Sequence, residues 1–150
     1  MDEVTLDTLL DEARIGKVLM GYAEALDRRD WPALEQVFTA DATAHYTSIG
    51  HFEGREAIIE VVRQALSVCG PTQHLIGTVR IAVHGDGATA RCYLQAIHAG
   101  LGDYRDRTLT VWGEYRDRLV RRPEGWRIAH RELALIHMSG DIGATALSAG

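Results

Sequence analysis

Apolar residues recur at helical spacing through the first part of the chain and at two-residue spacing after it. Over residues 7–27 they lie three and four positions apart, which predicts one long amphipathic helix. An aspartate N-cap and a proline in the first turn predict a short second helix over residues 30–37. Residues 55–70 carry a third helical apolar face, with Gly70 as the expected C-terminal stop. The sequence therefore predicts three helices before most of its strands.

The later segments have the alternation and the Val, Ile, Thr, Tyr and Trp content of β-strands. A first strand is predicted at residues 42–49, ended by a turn in the GHFEG segment at residues 50–54. The four long strands predicted after the third helix cover residues 72–84, 88–101, 107–120 and 126–136. Helices followed by strands favour an α+β domain in which helices cover one face of an antiparallel sheet. We assign residues 1–138 to this one domain and the small, polar residues 139–150 to a flexible tail.

The composition narrows the classes of partner. The chain has 150 residues, of which 46% are hydrophobic and 25% charged, as in soluble globular proteins with one core. Its net charge of −5 provides no basic field for nucleic acid or an anionic membrane and favours a small neutral or cationic ligand. The acidic opening residues and the lack of a long apolar run predict a cytoplasmic protein. Cys69 and Cys92 have no metal-ligand spacing and are expected to be buried thiols.

Two histidines are predicted to point into the interior of the sheet. In the strand that follows the GDG turn, the apolar side chains share one parity, and His98 falls on it. His74 shares a face with Ile76, but the apolar parity changes after Gly77. The residues on the changed parity are Val79, Ile81 and Val83. A one-residue bulge at Gly77 would reconcile the two halves and bring His74 to the interior face, and Gly113 is a second candidate bend.

An interior imidazole needs a hydrogen-bond partner, and Asp27 is the candidate. It lies at the end of the first helix, where the macrodipole favours cations over a carboxylate. A hydrogen bond to His74 would explain an acid in that place. Two simpler interpretations stay open from the residues alone: strand histidines are commonly satisfied core residues, and acids near helix ends are commonly solvated.

Five segments resemble the SnoaL-like family of the nuclear transport factor two-like superfamily. They are YAEALDRRDWPALEQVFTADATAHY, FEGREAI, TQHLIG, YLQAIH and GEYRDRLVRRPEGWRIAHREL, and they span about residues 15–135. The resemblance implies a cone-shaped α+β fold with three N-terminal helices on a strongly curved mixed sheet that encloses a pocket. It also implies a homodimer or homotrimer.

The resemblance also implies site residues. In the relatives scytalone dehydratase and hexachlorocyclohexane dehydrochlorinase, an Asp–His pair is the base of an elimination, and its members match Asp27 and His74. A second histidine and a pocket tyrosine of the dehydratase match His98 and Tyr46. Where the dehydratase has a second tyrosine this chain has Leu26, so that hydroxyl is missing or comes from Tyr22 or Tyr115. The expected substrate contacts are Tyr22, Leu26, Ile76, Leu94, Val111 and Tyr115.

These observations predict a lyase (dehydratase-like) or isomerase that needs no cofactor. The Asp27–His74 pair would move a proton on a small, largely apolar, cyclic substrate, while His98 and Tyr46 donate hydrogen bonds to the developing charge. A metal site is disfavoured because no HxH or HExxH spacing accompanies these residues. The alternatives are a non-catalytic small-molecule-binding protein and a polyketide cyclase-like enzyme. An exposed apolar patch of Trp112, Tyr93 and Ile97 is expected to be the protein's own oligomer interface.

Overall fold

The computed structural model describes residues 3–143 as an α+β arrangement of helices packed on one sheet. In chain order its elements are α1 (Leu6–Arg28), a 3₁₀ helix (Trp31–Gln36), β1 (Phe38–Tyr46), β2 (Gly50–Glu53), α2 (Arg55–Ser67), β3 (Thr72–His84), β4 (Gly87–Ala99), a second 3₁₀ helix (Gly102–Tyr104), β5 (Thr108–Arg122) and β6 (Gly125–Gly140). The predicted long strands and the three helical segments are therefore present, the second of the helices in 3₁₀ form. No helix of the described part is long and apolar enough to cross a membrane.

The six strands form one mixed, open sheet in the order β2-β1-β6-β5-β4-β3. β1 and β6 pair in parallel, and the other neighbours pair antiparallel. The helices cover one face, and the hydrophobic core lies between the two layers. β4 follows the predicted alternation at every position, with buried residues from Ala88 to His98 on the helix side. His98 is therefore an interior residue, as predicted.

Helix α1 spans the core and ends beside the first residues of β3. Thr5 is its N-cap and accepts a hydrogen bond from the Thr8 amide. Ile15, Leu19, Tyr22 and Leu26 are buried at helical spacing and face the sheet. The helix closes on Arg29, which adopts a left-handed conformation at φ 55°. The last turn of α1 therefore lies next to the first residues of β3.

The predicted bulge in β3 is present. Gly77 pairs with Tyr93 and Arg80 with Arg91, so two residues of β3 oppose one residue of β4. The half-buried parity changes from Thr72, His74 and Ile76 to Ile81 and Val83. Val79 lies within the bulge and is 44% exposed, so its predicted interior placement is wrong.

A second irregularity lies opposite Gly113, where β6 has an extra residue. A Cβ at Gly113 would lie only 3.0 Å from the Leu133 Cδ1 atom, so the glycine permits a close approach of the two strands. The predicted bend at this glycine is therefore a bulge that belongs to the neighbouring strand.

Several predicted boundaries are wrong, beginning with the first strand, because β1 covers Phe38–Tyr46 rather than residues 42–49. The GHFEG segment contains strand β2, and the chain turns before it at residues 47–49, while Gly54 at φ 88° is the N-cap of α2. Helix α2 ends at Ser67, and Gly70 instead lets the chain approach the Gly100 carbonyl, 2.9 Å from where a Cβ would lie. The tail does not begin at residue 139, because β6 runs through Gly140 and Ile142 is buried. The remainder of the predicted tail, residues 144–150, lies outside the described residues.

Candidate active site

Asp27 and His74 form the hydrogen-bonded pair that the sequence predicts. The Asp27 Oδ1 atom lies 2.6 Å from His74 Nδ1, and Oδ2 lies 2.9 Å from the His74 backbone nitrogen. Thr72 Oγ1 is 3.0 Å from Oδ1. The carboxylate thus accepts from the side chain and the backbone of one residue and from the hydroxyl of a second, which holds the imidazole in a single orientation.

The charge on Asp27 follows from these donors. Burial raises the pKa of Asp27, but the hydrogen bonds from the His74 ring and backbone outweigh it and hold the pKa below its usual value. An ionised carboxylate can only accept, so His74 Nδ1 carries a proton when it bonds to Asp27. The Nε2 atom of the neutral ring is then free to act as a base. The His74 side chain is only 5% exposed, so this base is shielded from solvent.

His98 lies beside His74 with its ring perpendicular to it, at a centroid distance of 5.5 Å. Its Nδ1 is 3.2 Å from the Leu109 carbonyl oxygen, to which it donates. Burial, and then the charge of His74, lower the pKa of His98 to about 4. A neutral His98 in this tautomer presents an accepting Nε2, so the expected role as a hydrogen-bond donor does not fit this geometry.

Tyr46 lies at the opposite wall, and its hydroxyl is 3.1 Å from that of Tyr22. Both rings are buried, and burial raises the pKa of each phenol. Two protonated hydroxyls that share one hydrogen bond have one proton left for another acceptor. Tyr22 therefore supplies a hydroxyl beside Tyr46. The ring of Tyr115 packs edge-on against Tyr22, with the centroids 5.6 Å apart.

Below the tyrosines lies an ion pair that the sequence argument missed. Arg131 and Asp117 are each 1% exposed and form a two-pronged contact, with N···O distances of 2.7 and 2.6 Å. The Arg131 guanidinium also lies 4.3 Å from the ring centre of Tyr22 and 3.9 Å from that of Tyr115. A signal was present, since Asp117 has the same parity as the buried residues Tyr115 and Leu119.

These groups surround an apolar cavity of about 60 Å³ between the helices and the sheet. Its lining residues are Tyr22, Leu26, Tyr46, Ile49, Val62, Ala65, Leu66, His74, Leu94, Ala96, His98, Val111, Tyr115 and Leu133. Of the residues expected to contact substrate, only Ile76 is outside this lining, and it is partly buried and packs against the core. Sequence reasoning missed the contributions of α2, which carry only an ordinary apolar pattern. Asp27 is not part of the lining and reaches the cavity through His74.

Asp27, His74 and His98 are the residues of the candidate site that could in principle supply metal ligands. Among residues 3–143, no group of three or more His, Cys, Asp or Glu side chains is arranged to hold a metal ion. Asp27 and His74 are bonded to each other, and His98 to a backbone carbonyl.

Comparison with known proteins assigns this chain to a family. The model of the SnoaL-like domain matches residues 7–132. An uncharacterised protein of Mycobacterium tuberculosis and one of Mycobacterium bovis are each 34% identical over 124 residues, which are 81% of this chain and 82% of theirs.

Solved structures share the architecture at lower identity. A hexachlorocyclohexane dehydrochlorinase from Novosphingobium barchaimii superposes with a TM-score of 0.81 at 17% identity, over 93% of this chain and 96% of that one. A protein of Novosphingobium aromaticivorans assigned as a scytalone dehydratase has a TM-score of 0.81 at 21% identity, over 91% of each chain. A nuclear transport factor 2-like protein of Salmonella enterica has a TM-score of 0.78 at 18% identity, over 87% of this chain and 94% of its own. The chain therefore belongs to the SnoaL-like family and has the nuclear transport factor 2-like fold.

Proposed function

We propose that this protein is a lyase or isomerase that uses Asp27 and His74 as a general base and requires no cofactor. The observation that carries the proposal is the 2.6 Å contact between an Asp27 carboxylate oxygen and His74 Nδ1, at the wall of an apolar cavity. A carboxylate that holds one ring nitrogen makes the other nitrogen a base and stabilises the imidazolium that forms. The apolar lining favours a small, largely apolar, cyclic substrate.

In an elimination, His74 Nε2 removes a proton from a carbon atom of the substrate. The electrons of the broken C–H bond form a C=C bond, and the leaving group departs from the neighbouring carbon with its own electron pair. When that group is a hydroxyl, the proton on His74 passes to it and water leaves, which restores the neutral ring. The hydroxyl proton that the Tyr22–Tyr46 pair does not use between its own members would stabilise negative charge on a substrate carbonyl oxygen.

His98 has a different role in this mechanism from the one expected from the sequence. Its neutral ring presents an acceptor beside His74, so it would bind and orient a hydroxyl hydrogen of the substrate. Donation to developing charge is left to the tyrosine pair. A substrate with a hydroxyl on one side and a carbonyl on the other matches these two polar contacts.

Elimination is favoured over isomerisation by the names of two structural relatives. The words dehydrochlorinase and dehydratase denote loss of hydrogen chloride and of water. Both proteins have this fold, and fold alone does not specify a reaction. The support that comes from this chain is the base, the acceptor and the hydroxyl pair around one cavity.

The cavity must widen to admit such a substrate. Its volume of about 60 Å³ is far below the ~300–1,000 Å³ of typical small-molecule sites. Ile49, Ala65 and Leu133 are the partly exposed apolar residues of the lining, so they mark where it meets the surface. Movement of these three side chains would open the cavity to a substrate.

The test begins with small cyclic hydroxyketones screened by thermal shift, since a bound ligand raises the melting temperature by mass action. Turnover of each hit is then followed in the wild type and in His74→Gln and Asp27→Asn. We expect both variants to keep their fold and ligand binding and to lose roughly 10²–10⁴-fold in kcat, the usual contribution of a general base.

His84→Gln is the matched control, because His84 lies at the other end of the same strand and is exposed. Its kcat should equal that of the wild type. Unchanged turnover in Asp27→Asn and His74→Gln would refute the proposed mechanism. Ligand binding with no turnover in the wild type would instead identify a small-molecule-binding protein.

A further inference from the structure

The end of α1 and the start of β3 are tied together by the side chain of Arg29. Its Nη1 atom is 2.8 Å from the Leu26 carbonyl oxygen and 2.8 Å from Thr72 Oγ1, and Nη2 is 2.7 Å from the Gly70 carbonyl oxygen. One guanidinium therefore connects the last turn of α1 with two residues that precede His74 in the chain, Gly70 and Thr72. A cation also suits this end of a helix, where the macrodipole is negative.

The contact with Thr72 sets the direction of a chain of hydrogen bonds. Arginine can only donate, so the Thr72 hydroxyl accepts from Arg29 through a lone pair. Its single proton is then directed to its other neighbour, the Asp27 Oδ1 atom at 3.0 Å. The same oxygen accepts from His74 Nδ1. The order is Arg29 to Thr72 to Asp27, with His74 donating to Asp27 from the other side.

We propose that Arg29 and Thr72 are positioning residues that hold Asp27 in the orientation that fixes the His74 tautomer. This inference rests on the proposed function for its catalytic meaning, but its structural content stands apart from any substrate. Neither residue touches the cavity, and both act through Asp27. Without the Thr72 proton, the carboxylate keeps only its two hydrogen bonds to His74, so no residue outside the pair helps to fix its orientation.

The backbone around this relay supports a positioning role. Arg29 is one of three residues other than glycine with a positive φ among residues 3–143. Its left-handed φ of 55° directs the side chain back over the helix end, where it meets Thr72 and Gly70. Such a backbone is uncommon for arginine and persists where surrounding contacts hold it.

The test is the tautomer of His74, measured by long-range ¹H–¹⁵N NMR of the imidazole nitrogens in the full chain. Wild type should show the Nδ1–H tautomer. Thr72→Val keeps the shape but removes the hydroxyl, and we expect roughly a five-fold shift in the tautomer ratio, the effect of one hydrogen bond of ordinary net strength. Thr72→Ser should restore the wild-type signal, and Arg29→Gln should shift it in the same direction as Thr72→Val.

Two matched controls separate positioning from general loss of stability. Thr39 is a buried threonine whose hydroxyl has no partner in the described part of the chain, so Thr39→Val should leave the His74 signals unchanged. Arg28→Gln removes the neighbouring guanidinium, which pairs with Glu24 instead, and should also leave them unchanged.

On any substrate found, Thr72→Val should lower kcat by roughly 10- to 100-fold with little change in KM, as misplacement of a catalytic group does. The inference is overturned if Thr72→Val keeps the wild-type tautomer ratio, or if Thr72→Ser shifts it as much as valine does. If Thr72→Val does not fold, the Ser and Gln variants decide the question by the same signals. Failure of the proposed function is separate: it appears as unchanged turnover in Asp27→Asn, whatever the tautomer ratio.

Discussion

His98 is a residue whose pKa differs between the folded and the unfolded chain. It is 3% exposed, and burial together with the charge of His74 lowers its pKa to about 4. In the unfolded chain a histidine titrates near ~6.5. Between these two values the unfolded state binds more protons than the folded state, so the free energy of unfolding rises with pH.

This difference predicts a loss of stability on acidification. The contribution of His98 is complete above about pH 6.5 and is lost as the pH falls toward 4, a change of about 3 kcal/mol in the free energy of unfolding. Urea unfolding at pH 7, 6 and 5 should show the decline in the wild type. His98→Gln should flatten it, whereas substitution of the exposed His51 by Gln should not. An equally steep decline in His98→Gln would contradict the assignment.

Asp27 acts in a lower range of pH. Its pKa is lowered in the folded protein, so it stabilises the fold above the ordinary carboxyl pKa of about 3.9 and loses that contribution as the pH falls below it. The two groups therefore act in succession on acidification, His98 first and Asp27 second.

At the scale of elements, β5 and β6 are joined by the buried Asp117–Arg131 pair. Removal of one partner leaves the other charge buried without compensation, which costs about 3–5 kcal/mol. Arg131→Met should therefore lower the free energy of unfolding by this amount, and it should also loosen the Tyr22 and Tyr115 rings that lie against the guanidinium.

The same strand offers a matched control for this prediction. Glu114 and Arg116 form an ion pair at 3.0 Å in which the arginine is 54% exposed. Solvent screens such a pair, so Arg116→Met should have a much smaller effect in the same chemical denaturation experiment. Equal losses in Arg116→Met and Arg131→Met would show that the buried pair has no special weight.

The elements also show what a sequence pattern can and cannot predict. β4 was predictable in detail because a central strand with one buried face must alternate at every residue. The end of β6 was not, because extra residues at 129 and 136 interrupt its parity, and the predicted strand stopped at the second of them. Asp117 and Arg131 were missed because a charged residue is ordinarily assigned to solvent, and its partner lies in another strand.

The candidate site was predictable to the same degree. Asp27 was identified because a carboxylate at a helix C-terminus is unfavourable without a partner, and His74 because the bulge places it inside. Arg29 and Thr72 were not identified, because their roles depend on the directions of individual hydrogen bonds. The acceptor role of His98 likewise depends on which nitrogen meets the Leu109 carbonyl.

At the scale of the whole molecule, the face of the sheet that the helices leave uncovered takes no part in the candidate site. It holds a hollow of about 640 Å³, and its apolar side chains include Leu75, Tyr93, Trp112 and Ile136. Tyr93 and Ile97 are 50% and 39% exposed. Together with Trp112 they form the apolar patch that was expected from the sequence as the surface joining copies of this chain.

We therefore expect the protein to form a homodimer or homotrimer through this face. Sedimentation velocity of the wild type should give a multiple of the 16.6 kDa chain mass. Ile97→Lys should shift the protein toward the single-chain mass, because a charge in an apolar interface loses its hydration. Met20→Lys, at an exposed position on α1, is the control and should leave the assembly intact. A wild type that sediments as single chains at high concentration would contradict this expectation.

The hydrogen bond from the His74 backbone amide to Asp27 lies at the edge of the sheet, where strands of other molecules could pair. β3 is the outermost strand of the sheet, so an amide on its free side is available to pair with a strand of another molecule. Asp27 already accepts from that amide, so the start of β3 offers one donor fewer to a strand of another molecule. Asp27→Ala removes both carboxylate oxygens and leaves the His74 amide unpaired, so lost activity in that variant would not distinguish aggregation from the missing carboxylate. Asp27→Asn keeps a side-chain oxygen that can accept from this amide.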